Sequence, residues 1–239
     1  MKEVSALKIR IRFSKEGVMK FIGHLDMVRY FQKAFRRSGI DISYSQGFSP
    51  HQLISFASPL GVGLTSTGEY MDIFVGSSQP SSVMIEKINR EMAEGVKVLS
   101  FKRIADETRA SNAMALIAAA DYEVAFRHMP KDVMFGDAIE TFMAKEQIIM
   151  TKKTKKSVKE TDIRPMIYEM SWTGSTVFMK VACGSSANLK PELVMEAFAK
   201  HIGCSFDPLE LLICRREMYA SDGDGWKSLD DFGEEILTP

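Results

Sequence analysis

The chain has 239 residues, of which 45% are hydrophobic and 26% charged, the proportions of a globular protein built as one large domain or two small ones. The formal net charge is zero, which excludes a global field drawing the molecule to nucleic acid or to a membrane. Cys183, Cys204 and Cys214 are odd in number and hold no C-x-x-C pair, which argues against a disulfide framework, a cysteine zinc site or an iron–sulfur centre.

The charge is unevenly placed. Residues 1–50 carry ten Lys and Arg against four acids, a local balance of +6, whereas residues 221–239 carry six acids against Lys227. That asymmetry predicts a basic working face and an acidic tail. The opening MKEVSALKIRIRF has no apolar core of signal-peptide length. No run approaches the ~18 apolar residues that span a membrane, so a cytoplasmic location is expected.

Along the chain, LKIRIRF (7–13) alternates apolar and basic, which predicts a strand with one buried and one cationic face. From His24 to Ser38 the period becomes helical. Leu25, Val28, Phe31 and Phe35 lie on one side, Arg29, Lys33, Arg36 and Arg37 on another, and Gly39 supplies the stop. IDISY (40–44), LISFA (53–57), GEYMDIFVG (68–76) and VKVLSFKRI (96–104) read as strands. A helix capped by Ser81 or Ser82 lies before the last of them. Omitting the short LISFA strand leaves the β-α-β-β-α-β order of a ferredoxin-like unit.

The second half repeats that order after NAMALIAAA (112–120), expected as a linking helix. YEVAF (122–126), QIIMTKK (147–153), IRPMIYEMSW (163–172), STVFMKVAC (175–183) and LELLICRREMY (209–219) read as strands. Helices fall near 132–145 and 191–201, the latter with Pro191 at its first position. The expected fold class is therefore α+β. It has two ferredoxin-like halves with antiparallel sheets, 1–110 and 111–220, followed by a mobile acidic tail, 221–239. The halves read either as a duplication or as one α+β domain on a continuous sheet.

Three stretches could carry chemistry. In FIGHLDMVRYFQKAFRR (21–37), Asp26 suits a helix cap, while His24 could pair with it or face a cleft as an acid/base group. The basic ridge of this helix with Arg10 and Arg12 on the neighbouring strand would suit phosphates. In YSQGFSPH (44–51), Gly47 and Pro50 give the loop a defined shape. Tyr44, Ser45, Gln46, Ser49 and His51 offer polar groups and Phe48 a flat face, so it reads as a connector or a recognition loop. Glu69 and Asp72, three apart on a strand, point to opposite faces and are no carboxylate pair. In TKKTKKSVKETDIRP (151–165), Lys152, Lys153, Lys155, Lys156, Lys159 and Arg164 predict a basic hairpin arm able to touch a nucleic-acid backbone, or a solvated loop. There is no P-loop, G-x-G-x-x-G, G-x-S-x-G or H-E-x-x-H, and no cofactor motif. His24, His51 and Asp26 could hold a divalent metal, a weaker reading.

The combination R-x-R-F-S-K-x-G (10–17), F-x-x-H-L-D (21–26), Y-S-x-G-F-x-P-H (44–51), S-F-A-x-P-L-x-x-G (55–63), G-E-Y-x-D (68–72) and D-I-R-P (162–165) resembles a bacterial family of unknown function that is associated with radical SAM enzymes. The resemblance covers about residues 6–218. It implies a standalone form of a domain otherwise found C-terminal to cobalamin-type radical SAM proteins, with a radical SAM protein as partner. Its recurring positions correspond to His24, Asp26, Arg37, Tyr44, Ser45, Gly47, Phe48, Pro50, His51, Glu69 and Tyr70. Gly23 departs from the usual Ser.

Three functions follow as expectations. The first is an accessory module that binds RNA or presents substrate, using Arg10, Arg12, Arg36, Arg37 and the 152–159 lysines for phosphate and the 44–51 loop for recognition. The second is an enzyme using His24, Asp26 and His51, which requires those side chains to converge. The third is a protein-interaction subunit.

Overall fold

The structure is a computed structural model that describes residues 6–105, 111–130, 133–153 and 158–238, with 152, 153, 158 and 159 at backbone level only. The chain forms two compact units, one of Met1–Ile117 with Glu217–Pro239 and one of Ala118–Arg216. Both are mixed α+β, with antiparallel strand pairs and few helices.

The first unit is built from β1 (Leu7–Lys15), α1 (His24–Ser38), β2 (Ile54–Phe56), β3 (Thr65–Val75), α2 (Ser81–Asn89) and β4 (Val96–Arg103). β1 lies between β3 and β4, antiparallel to both, and β2 adds to the far side of β3. The period of two puts Ile9, Ile11 and Phe13 on one face of β1, where they pack with Met27, Phe31 and Phe35 of α1 and Met84 and Ile88 of α2. Gly39 ends α1 in the left-handed region at φ 67°, where a side chain would be strained.

The second face of β1 is not an open cationic surface, because Lys8 and Arg10 are fully buried. Arg10 forms a two-pronged pair with Asp72 (Nε–Oδ1 2.8 Å, Nη2–Oδ2 3.1 Å) and donates to the carbonyls of Ser111 and Leu229. A buried guanidinium persists only with such partners, and its burial denies it to a phosphate. The acidic tail is likewise not mobile. β11 (Gly225–Ser228) pairs with the end of β10 (Leu211–Asp222), a 3-10 turn follows at Leu229–Phe232, and β12 (Glu234–Glu235) pairs with β4. Leu229 is fully buried and Asp230 pairs with Lys102 at 2.5 Å. Neither expected cap forms. Asp26 pairs with Arg29 instead, and Ser81 exchanges hydrogen bonds with Ile236.

The second unit contains β5 (Ile117–Phe126, its first residue in the first unit), α4 (Phe135–Met143), the hairpin β6 (Ile149–Lys153) and β7 (Val158–Asp162), β8 (Ile167–Thr173), β9 (Thr176–Ala182) and α5 (Pro191–His201). The first part of β10 completes it, in the sheet order β10-β5-β9-β8. The expected helix over 112–120 shrinks to α3 (Ala113–Leu116). Ala119 and Ala120, good helix formers, are drawn into β5 by pairing with Ala182 and Val181 and by complete burial, so packing overrides propensity. The core is aromatic. Phe135 stacks on Trp172 at 4.4 Å, and Phe142 meets Phe198 edge-on at 5.5 Å.

Candidate functional site

The loop between α1 and β2 is closed by its own polar side chains. Its neck is fixed by Ser43 N donating to Phe74 O and by Leu53 N donating to Ser43 O. One step out, Ser45 N donates to His51 O, His51 N donates to Ser45 Oγ at 3.1 Å, and Ser45 Oγ meets His51 Nδ1 at 2.9 Å. His51 is therefore a clasp. Gln52, 5% exposed, reaches from the loop to α1, its Nε2 donating to Gln32 O at 3.2 Å and to Tyr44 Oη at 3.3 Å. Beyond the clasp, Gly47 sits at φ 113°, which glycine alone adopts without strain. The loop then presents Phe48 fully to solvent. Leaving a Phe ring in water forgoes about 1.5–3 kcal/mol of burial, an unusual arrangement for a loop this well closed.

The same anchor places the loop beside the basic ridge of α1. Arg29 and Arg36, three before and four after Gln32, are its neighbours on the helix surface. Arg29 makes only a solvent-exposed pair with Asp26, while Lys33 and Arg36 are exposed with no ion pair to any described residue. Of the other expected phosphate ligands, Arg12 pairs with Glu217 at 3.1 Å. Arg37 is tied to the Glu91 carboxylate and carbonyl, and Arg164 to the carbonyls of Met143 and Ile167. Lys152, Lys153 and Lys159 fall on the β6–β7 hairpin, while Lys155 and Lys156 lie outside the described residues.

His24 opens α1 at the mouth of a small cavity of about 10 Å³, its ring edge-on to Phe56 at 5.2 Å. Buried Lys15 and Glu69 line the same space, and Lys15 Nζ donates to Ile22 O at 2.7 Å. Val18, Phe21, Leu25 and Val62 are exposed around this end of the unit, where Gly63 N donates to Lys20 O. His24, Asp26 and His51 have separate partners, and no described hydrogen bond or ion pair joins them. Among the described residues no three His, Cys, Asp or Glu side chains cluster as a metal site.

Two residues of this region escaped the sequence reading. Lys15 falls on the apolar phase of β1, with Ile9, Ile11 and Phe13, so its burial was visible in the period of two. Glu217 gave no such signal. It lies 147 positions from Tyr70, whose hydroxyl donates to its Oε1 at 2.6 Å. Burial pushes the Glu217 carboxyl above the usual carboxylate range despite the Arg12 guanidinium, and burial together with Glu217 pushes the Tyr70 phenol well above its own.

A bacterial family described as "Uncharacterized protein conserved in bacteria (DUF2344)" matches residues 8–191. No curated protein matches. Among solved structures, one described as a Cbf5-Nop10-Gar1 complex is similar at 9% identity and a TM-score of 0.44, over 90% of this chain. The chain spans 50% of that structure's length. An unknown protein from Galdieria sulphuraria is similar at 13% identity and a TM-score of 0.26, over 98% of this chain and 100% of the other. Likenesses this distant carry no functional argument. No helix among the described residues is long and apolar enough to cross a membrane.

Proposed function

The chain belongs to the bacterial DUF2344 family, and we propose that it is an RNA-binding accessory module that holds a single-stranded segment for a separate modifying enzyme. The observation that carries this reading is the clasped loop with Phe48 at its tip, tied by Gln52 to the helix that bears Arg29, Lys33 and Arg36. An aromatic face on a loop tied to a helix with exposed cations meets the two needs of a single strand, stacking for a base and neutralisation for its phosphates. The lysines of the 151–165 hairpin would offer phosphate contacts of their own. A radical SAM enzyme as the partner rests on the motif resemblance alone. We also infer that both units are ferredoxin-like products of a duplication. Each has β-α-β-β-α-β order with the fourth, first, third and second strands as neighbours, if the β6–β7 hairpin is set aside as an insertion.

The test is fluorescence anisotropy with an unstructured RNA oligonucleotide across a salt series. For a single strand the logarithmic slope is about −0.7 per phosphate neutralised, so Lys33→Gln with Arg36→Gln should flatten it by about 1.4. Phe48→Ala should weaken binding about 5- to 150-fold, from ~1–3 kcal/mol of stacking, and leave the slope unchanged. Absence of binding at low salt overturns the reading. The weight then moves to a protein partner on the exposed Val18, Phe21, Leu25 and Val62, the observation favouring that second reading.

A further inference from the structure

The sheet of the second unit ends on β8, and among the described strands none pairs with its outer side. The register with β9 shifts between Ile167 and Glu169, but from Glu169 to Thr173 it is regular. In an antiparallel ladder every second residue turns its N–H and C=O away from the neighbouring strand, so this stretch offers a row of backbone donors and acceptors. Open edges are commonly blunted by lysine or proline, and Glu169–Thr173 contains neither.

A groove of about 380 Å³ lies between α4 and β8, with Ile139, Glu140 and Met143 on one side and Glu169, Met170 and Ser171 on the other. Three consecutive residues of β8 border it although their side chains alternate between faces, so the groove meets the strand along its edge. Its apolar wall includes Met143 and Met170, side chains that adapt to irregular neighbours. Its charged residues are both acids. Glu140 and Glu169 are exposed and have no ion pair with a described residue. Lys180, opposite Glu169 on β9, is taken by Asp121 at 2.6 Å.

We propose that this edge takes up an extended segment of a partner protein in which basic and apolar residues alternate, adding it as a further strand beside β8. Backbone hydrogen bonds along the edge supply affinity, and the groove supplies selection of side chains. The period of two sends the apolar side chains into the groove, against Met143 and Met170, and the basic ones to the opposite face, where Glu169 lies. Glu140 adds a second negative charge along the path. A second copy of this chain fits the edge poorly, because pairing β8 with itself would gather Glu140 and Glu169 of both copies at one seam. This surface belongs to the second unit and does not rest on the RNA reading of the first.

The test is fluorescence anisotropy of the full chain with a labelled short peptide of alternating lysine and valine. Binding should saturate below millimolar concentration. A peptide of the same composition, with its lysines and valines in separate blocks, should bind at least about tenfold more weakly. N-methylation at every second residue should cost at least about tenfold in the phase that blocks the bonds to β8, and little in the phase whose N–H groups face solvent. Glu140→Gln with Glu169→Gln should weaken binding about 2- to 30-fold, the range for two exposed ion pairs, with thermal unfolding unchanged. Phe48→Ala should leave the affinity unchanged, which separates this surface from the RNA interface. No binding at millimolar peptide, equal binding of the block peptide, equal loss in both methylation phases, or unchanged affinity in the double variant would overturn the proposal. A dimer of the chain in sedimentation that excludes the peptide would also overturn it and give the edge to a second copy.

Discussion

Arg10 shows how far a single residue can mislead. Its place in LKIRIRF, between Ile9 and Ile11, carries the signature of a solvent-facing base on an amphipathic strand. Its cover comes from Leu229 and Ser111, positions 219 and 101 residues away, and nothing in a local window announces them. Tyr70 and Glu217 belong to the same long-range class, and their titration can be followed. The folded state holds the Glu217 proton more tightly than the unfolded chain does, so stability from this group is present at acid pH and falls as pH rises from the ordinary carboxylate range through the raised folded value. Tyr70 repeats the pattern above the ordinary phenol range, about pH 10. Urea midpoints measured across pH should decline over both windows. Glu217→Gln should flatten the first decline and Tyr70→Phe the second, and unchanged profiles would refute the assignment.

At the level of elements, most of the order was legible because the strands of the first unit have clear alternation and α1 has a clear ridge and a glycine stop. The largest misses were contests between local preference and a distant partner. Residues 117–120 have helical composition but join β5 because β9 offers hydrogen bonds and a buried slot. The C-terminal stretch looks polar and loose, yet its apolar positions, Leu229 and Ile236, are spaced to reach the first unit, where Leu229 is fully buried. Leu229→Ala should therefore cost about 2–5 kcal/mol in chemical denaturation, the range for a core leucine. A solvated tail would give a change within about 0.5 kcal/mol. The candidate loop was legible as a shaped loop from Gly47 and Pro50. Its clasp between Ser45 and His51 was not, because a histidine that ends a motif reads equally well as a ligand or as a hydrogen-bond anchor.

For the whole molecule, the two units carry different tryptophans, Trp226 in the first and Trp172 in the second. Single-tryptophan versions therefore report on each unit separately. Phe35 is fully buried in the first core, and Phe35→Ala, worth about 3–5 kcal/mol, should lower the Trp226 transition more than the Trp172 transition. Equal shifts would show one cooperative unfolding of the entire chain.

The assignment of residues 217–239 to the first unit has a consequence for biosynthesis. A ribosome releases Ala118–Arg216 in full before it releases residues 217–239, which complete the first unit. At about 5–20 residues per second, the nascent first unit stays incomplete for roughly 6–24 s after residue 117 has emerged. During that interval the Arg10 and Asp72 charges have no Leu229 carbonyl and no buried cover. The second unit, although later in sequence, is the one able to reach its finished form first.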